Sequence, residues 1–165
     1  MASVIGFPNP VNEKAARTVA AGVLVIALVA LATQTLWLTA FLALGFLARV
    51  ATGPTLSPLG QLATRVVAPR LGPAKLVPGP PKRFAQAIGA VITVASVISW
   101  FGFGSSVVTS AMLALIVVAA ALESILAVCL GCIIFGYLMR SGVIPADTCE
   151  ACNNVSLTPS TGRLS

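Results

Sequence analysis

Residues 107–139 read VVTSAMLALIVVAAALESILAVCLGCIIFGYLM, thirty-three positions with one charged residue, Glu123. As a single α-helix the stretch would measure about 50 Å, against a hydrocarbon core of roughly 30 Å. No Gly/Pro-rich turn divides it, and Glu123-Ser124 is a weak break. Two helices are possible in principle; the favoured reading is one long helix over 107–139, tilted or bent, with a kink around Gly131. An apolar run of this length belongs in a bilayer.

Composition agrees. The chain has 165 residues, 58% hydrophobic and only 8% charged, where a soluble domain carries roughly 25% charged residues. Three earlier apolar runs predict spans over 15–32, 36–50 and 84–103. Asn12 stands where an N-cap is needed for the first. Nothing resembles a cleavage site after it, so it reads as a retained span rather than a signal peptide. The second is short, about 15 residues against the roughly 20 needed to cross, with Trp37 at one interface and Arg49 snorkelling at the other end. The third is entered through Pro80-Pro81-Lys82-Arg83 and ends at Trp100 and Phe103. In the Pro- and Gly-rich connector before it, Ser57-Pro58 supplies an N-cap and a first helical position. That predicts a helix over 57–68, stopped by Pro69. Leu59, Leu62, Ala63 and Val66 form its apolar face, which suits a helix lying on the membrane surface.

Basic residues alternate with the spans. Lys14 and Arg17 precede the first. Arg49, Arg65, Arg70, Lys75, Lys82 and Arg83 lie between the second and third, and Arg140 follows the last. The turns after the first and third spans carry no charge. The positive-inside rule then gives four spans with both termini cytoplasmic. The fold class is all-α: an integral membrane four-helix bundle of two helical hairpins with a cytoplasmic interfacial helix. One membrane domain covers 1–153, in the inner (plasma) membrane, and a disordered tail covers 154–165. The formal net charge of +6 is accounted for by topology and lipid head groups; the partner it implies is the lipid bilayer, with no nucleic acid.

The chemistry-bearing residues are few. There is no histidine, which removes Ser-His and Cys-His nucleophiles and His-ligated metal sites. All four cysteines lie in two Cys-x-x-Cys motifs, Cys129-Leu-Gly-Cys132 inside the last apolar run and Cys149-Glu-Ala-Cys152 just after it. A Cys-x-x-Cys pair suits thiol–disulfide exchange, because the second thiol resolves the mixed disulfide formed by the first. Two pairs, one embedded and one exposed, would make a redox or sulfur relay. The sixteen residues between the motifs also suit a four-cysteine zinc site, although an apolar helix is a costly place for a doubly negative tetrathiolate. Thiol exchange, a structural zinc site in a non-enzymatic protein, and a small transporter subunit therefore stand side by side, and whether the chain is an enzyme stays open. Glu123 is the remaining candidate, as an ionisable group within a span. On a continuous helix it falls nine positions before Cys132, on the opposite face. There it would bond a Ser, Thr or Gln of a neighbouring helix, stay protonated, or contact a polar ligand such as a quinone.

Four segments carry a resemblance: Asn9-Pro10-Val11-Asn12, Ser57-Pro58-Leu59, Pro81-Lys-Arg-Phe84-Ala-Gln86, and Leu122-Glu123 with Cys129-Leu-Gly-Cys132. Together they resemble a bacterial, often actinobacterial, family of small four-span membrane proteins of unknown function, over about residues 8 to 153. Members are often encoded near thioredoxin-like proteins and rhodanese-type sulfurtransferases. The resemblance implies a redox or sulfur context and a thioredoxin-like or sulfurtransferase partner.

Overall fold

The computed structural model describes residues 7–149; Glu150, Cys152 and the tail expected over 154–165 lie outside the described residues. Asn12 Oδ1 accepts the Lys14 amide at 3.0 Å and caps α1 (Glu13–Thr33), satisfying one of the orphan amides of a helix start. A turn at Gln34, φ 53°, leads into α2 (Leu36–Thr52). Ser57 Oγ then accepts the Gly60 amide and starts α3 (Pro58–Leu62). The segment continues through a π-helical turn, Ala63–Val67, into α4 (Ala68–Arg70). Pro69 therefore does not stop this helix. It occupies the first positions of α4, where a missing amide hydrogen is tolerated.

The strands β1 (Val11–Asn12) and β2 (Leu76–Val77) pair antiparallel, with Val11 opposite Val77. They bind the start of α1 to the start of α5 (Gly79–Phe103). α5 begins five residues before the expected Phe84, because Pro80-Pro81 fit the first turn of a helix. Gly104 in left-handed conformation and a Ser105 cap then connect to α6 (Ser106–Leu126).

The stretch 107–139 is not one helix. α6 ends at Leu126, and α7 (Leu130–Arg140) follows after Ala127-Val128-Cys129. Ala127 adopts φ 57°, a conformation that costs a residue with a Cβ roughly 1–2 kcal/mol. Three groups of bonds hold the break. The Ala127 and Val128 amides both donate to Leu122 O. Arg17 of α1 reaches across to donate to Ser124 O at 3.0 Å and Ile125 O at 3.3 Å, capping the last carbonyls of α6. Cys129 Sγ accepts the Cys132 amide at 3.3 Å and begins α7.

α1 packs along α6 and α2 along α5, while α5 also touches α6 and α7. The core is a seam of Val19, Val23, Ala27 and Ala30 from α1, Leu42 and Phe46 from α2, and Leu113, Ile116 and Ala120 from α6. The spacings of three and four are those of one helix face. Small residues bring backbones together, as is usual where lipid gives no hydrophobic drive between helices. Gly89 faces the Phe46 ring, and Gly131 faces Ala85. Val25, Leu28, Leu44, Val91, Phe101, Leu115 and Val118 point outward. Three helices, α1, α5 and α6, are long and apolar enough to cross a membrane; α2 has 17 residues and α7 only 11.

Candidate functional site

One end of the packed helices collects the charge. Glu13 pairs with Lys75 at 2.7 Å, Lys14 Nζ donates to Leu71 O at 2.7 Å, and Arg83 Nε donates to Val50 O at 3.1 Å. Arg17 and Arg83 thus both cap helix C-termini, where partial negative charge accumulates. At the other end the turns around Gln34 and Gly104 carry no formal charge.

The first cysteine motif sits at the charged end. Its surroundings differ from those expected inside a continuous apolar helix. Cys129 is the N-cap of α7 and Cys132 lies in its first turn. The two sulfurs are joined in a disulfide, with Cα atoms 5.2 Å apart. Cys129 Sγ therefore sits at a helix N-terminus, accepting a backbone amide and facing the positive end of the helix dipole. Gly131 makes this placement possible: a Cβ there would come within 2.5 Å of Ala85 Cα.

Glu123 is not on the opposite face from the cysteines, because the helix that would separate them stops at Leu126. Glu123, Gln86, Cys129, Leu130 and Ile134 line one cavity of about 220 Å³, walled by Ala85, Ile88, Gly89 and Ala120. Nor does Glu123 bond a neutral neighbour. Its Oε1 meets Lys82 Nζ at 2.6 Å, with side chains only 15% and 11% exposed. The lysine is thus the partner, where the sequence left the choice open among Ser, Thr and Gln.

The second motif is described only to Cys149; Cys152 lies outside the described residues. Cys149 is 4% exposed and disulfide-bonded, so it is not the exposed thiol expected of a mobile tail. The turn that carries it, Ala146–Cys149, is folded back on the charged end. Its Thr148 lines a cavity of about 420 Å³ with Pro8, Gly79, Arg83, Phe84 and Phe135. That cavity shares no lining residue with the one beside Cys129. Among the described residues no three His, Cys, Asp or Glu side chains gather as a metal site. With their sulfurs bonded to each other, Cys129 and Cys132 have no thiolate to offer zinc in this state.

Two basic residues read as topology signals turn inward. Arg49 does not snorkel; it is 5% exposed. Its Nε donates to Gln86 Oε1 at 2.8 Å and Nη1 to Ser57 Oγ at 3.0 Å. Its guanidinium carbon stands 4.5 Å from the Phe46 ring centre. Lys82 is the partner of Glu123. At a helix end the same sequence signal serves a basic residue that faces head groups and one that is buried, so the sequence did not separate them.

No curated protein and no solved structure matches the chain. A family profile described as a domain of unknown function matches residues 11–140, so the chain belongs to the DUF4395 family.

Proposed function

We propose that the protein is a membrane thiol–disulfide redox or sulfur-relay protein with the Cys129–Cys132 pair as its reactive centre. In this reading α1, α2, α5 and α6 are four spans and both termini are cytoplasmic. The Pro58–Arg70 segment and α7 lie at the inner interface of the plasma membrane. The alternation of charged and uncharged ends supports that orientation. The observation that carries the functional reading is the position of the disulfide: at a helix N-terminus, beside a cavity lined by Glu123.

The chemistry follows from that position. In the reduced protein, Cys129 is the thiolate and attacks a partner disulfide. The partner S–S bond breaks, a mixed disulfide forms at Cys129, and the released partner thiolate takes up a proton. Cys132 then attacks Cys129 Sγ and re-forms the internal disulfide, releasing the second partner thiol. Two electrons and two protons pass to the partner, and the reverse sequence oxidises it. Cys149 and Cys152 would be the second pair of a relay, with a thioredoxin-like or sulfurtransferase protein as the cytosolic partner.

The test is the intact mass of purified protein with and without reductant, together with metal analysis. Uptake of two hydrogens per disulfide, reversed by oxidant, is expected. About one zinc per chain with no redox-dependent change would overturn the proposal. A Cys132→Ser variant for the first pair and a Cys149→Ser variant for the second are each expected to hold partners as mixed disulfides. No adduct with any thioredoxin-like or sulfurtransferase protein would remove the partner assignment.

A further inference from the structure

We propose that the cavity between the N-terminal entry, α1, the Pro58–Arg70 segment and α5 binds a small oxyanion of the phosphate or sulfate type. The starting point is Arg49. It is more than nine-tenths buried, yet no carboxylate touches it: among the described residues the two ion pairs are Glu13–Lys75 and Lys82–Glu123. Its Nη2 is shut off from solvent and has no hydrogen-bond partner. The Phe46 face offers a quadrupole, which offsets part of the desolvation without cancelling the charge. Lys82 shares its charge with Glu123, and Glu13 shares its own with the exposed Lys75, so among the described residues Arg49 is the buried cation without a carboxylate of its own. A charge removed from water without a counter-charge is unfavourable, and an anionic ligand would supply the missing one.

The space for it is present. Arg49, Lys82, Gln86, Thr64 and Asn12 are among the residues lining a cavity of about 220 Å³. At about 30 Å³ per water that is room for roughly seven waters, or for one tetrahedral oxyanion and a partial shell. The polar groups there are mostly donors. Gln86 Oε1 is occupied by Arg49 Nε, which leaves its amide hydrogens for another acceptor. Lys82 Nζ gives one bond to Glu123 and has two hydrogens left. A guanidinium, an ammonium and a primary amide around one space match oxyanion recognition. A cation is disfavoured, because no carboxylate is among the lining residues while a guanidinium and an ammonium are. Free phosphate or sulfate and the phosphodiester of an anionic lipid present the same chemistry, and Phe7, Pro8 and Pro10 at the cavity leave either route open.

The experiment uses the full chain purified in detergent and in nanodiscs. In lipid-free detergent, labelled sulfate or phosphate is measured by equilibrium dialysis against chloride at matched ionic strength. In nanodiscs, retention of phosphatidylglycerol over phosphatidylcholine is read by native mass spectrometry. Saturable binding in the first arm identifies a free anion, and selective retention in the second identifies a lipid head group; either supports the site. The Arg49→Gln variant is expected to weaken binding about tenfold or more. Should that variant fail to fold, Thr64→Leu decides, since it narrows the cavity with an apolar side chain, removes a hydroxyl from its lining and leaves every charge in place; it too is expected to weaken binding. Absence of binding in both arms overturns the proposal, as does wild-type affinity in Thr64→Leu.

Discussion

Ala127 holds a left-handed backbone without being glycine, and the whole cysteine turn depends on it. Ala127→Gly is therefore expected to stabilise the protein by up to about 1 kcal/mol, because glycine adopts φ 57° without a Cβ penalty. Thermal unfolding in detergent measures this, and a lower midpoint than wild type would contradict the account. The Lys82–Glu123 pair makes the opposite kind of prediction. Lys82→Met leaves a carboxylate buried alone and is expected to cost on the order of 3 kcal/mol, whereas adding Glu123→Leu restores most of the loss. If the double variant is as unstable as the sum of the singles, the two side chains are not coupled. Neither role could be read along the chain. Glu123 and Lys82 are 41 positions apart, and no local pattern says that a lysine in a basic entry segment faces inward.

At the scale of elements, most helices were legible, the start of α5 and the end of the connector helix were off by a few residues, and the break inside 107–139 was missed. α1, α2 and α5 follow from apolar runs bounded by Asn12, the uncharged turns and the double proline. The Ser57 cap of the connector helix was also legible, because a cap is a local bond. The break between α6 and α7 is different. Its last carbonyls are held by Arg17 from another helix, so the residues around it show no Gly/Pro turn. Arg17→Met is expected to destabilise the turn by about 1.5–3 kcal/mol, the usual contribution of hydrogen bonds to a charged group. Hydrogen exchange at the Ala127 and Val128 amides should accelerate with it; unchanged protection there would argue that the turn is self-sufficient. Gly131→Val tests the α5–α7 contact. Its side chain would collide with Ala85, and a cost of about 1–3 kcal/mol is expected from overpacking.

For the whole molecule, the uneven placement of charge is the feature that both sequence and fold express. Nine of the ten basic residues fall within 14–140, and the bonds of Lys14, Arg17, Lys75, Lys82 and Arg83 gather at one end. In a chain whose native cysteines are replaced by serine, single cysteines at Gln34 and Ser105 should react with an impermeant reagent from outside the cell. One at Gly72 should react only after the membrane is opened. Labelling of all three from the same side would rule out the proposed orientation. The Arg17 bond to α6 has one more consequence, concerning biogenesis. Arg17 lies 107 positions before the carbonyl it holds, so the turn that presents Cys129 is incomplete until the first and last long helices have met. Until then Cys129 and Cys132 lie on a segment whose holding bonds are not all in place. Their pairing therefore records that the chain has been assembled, and a membrane-inserted but unassembled chain would be recognisable by its failure to oxidise there.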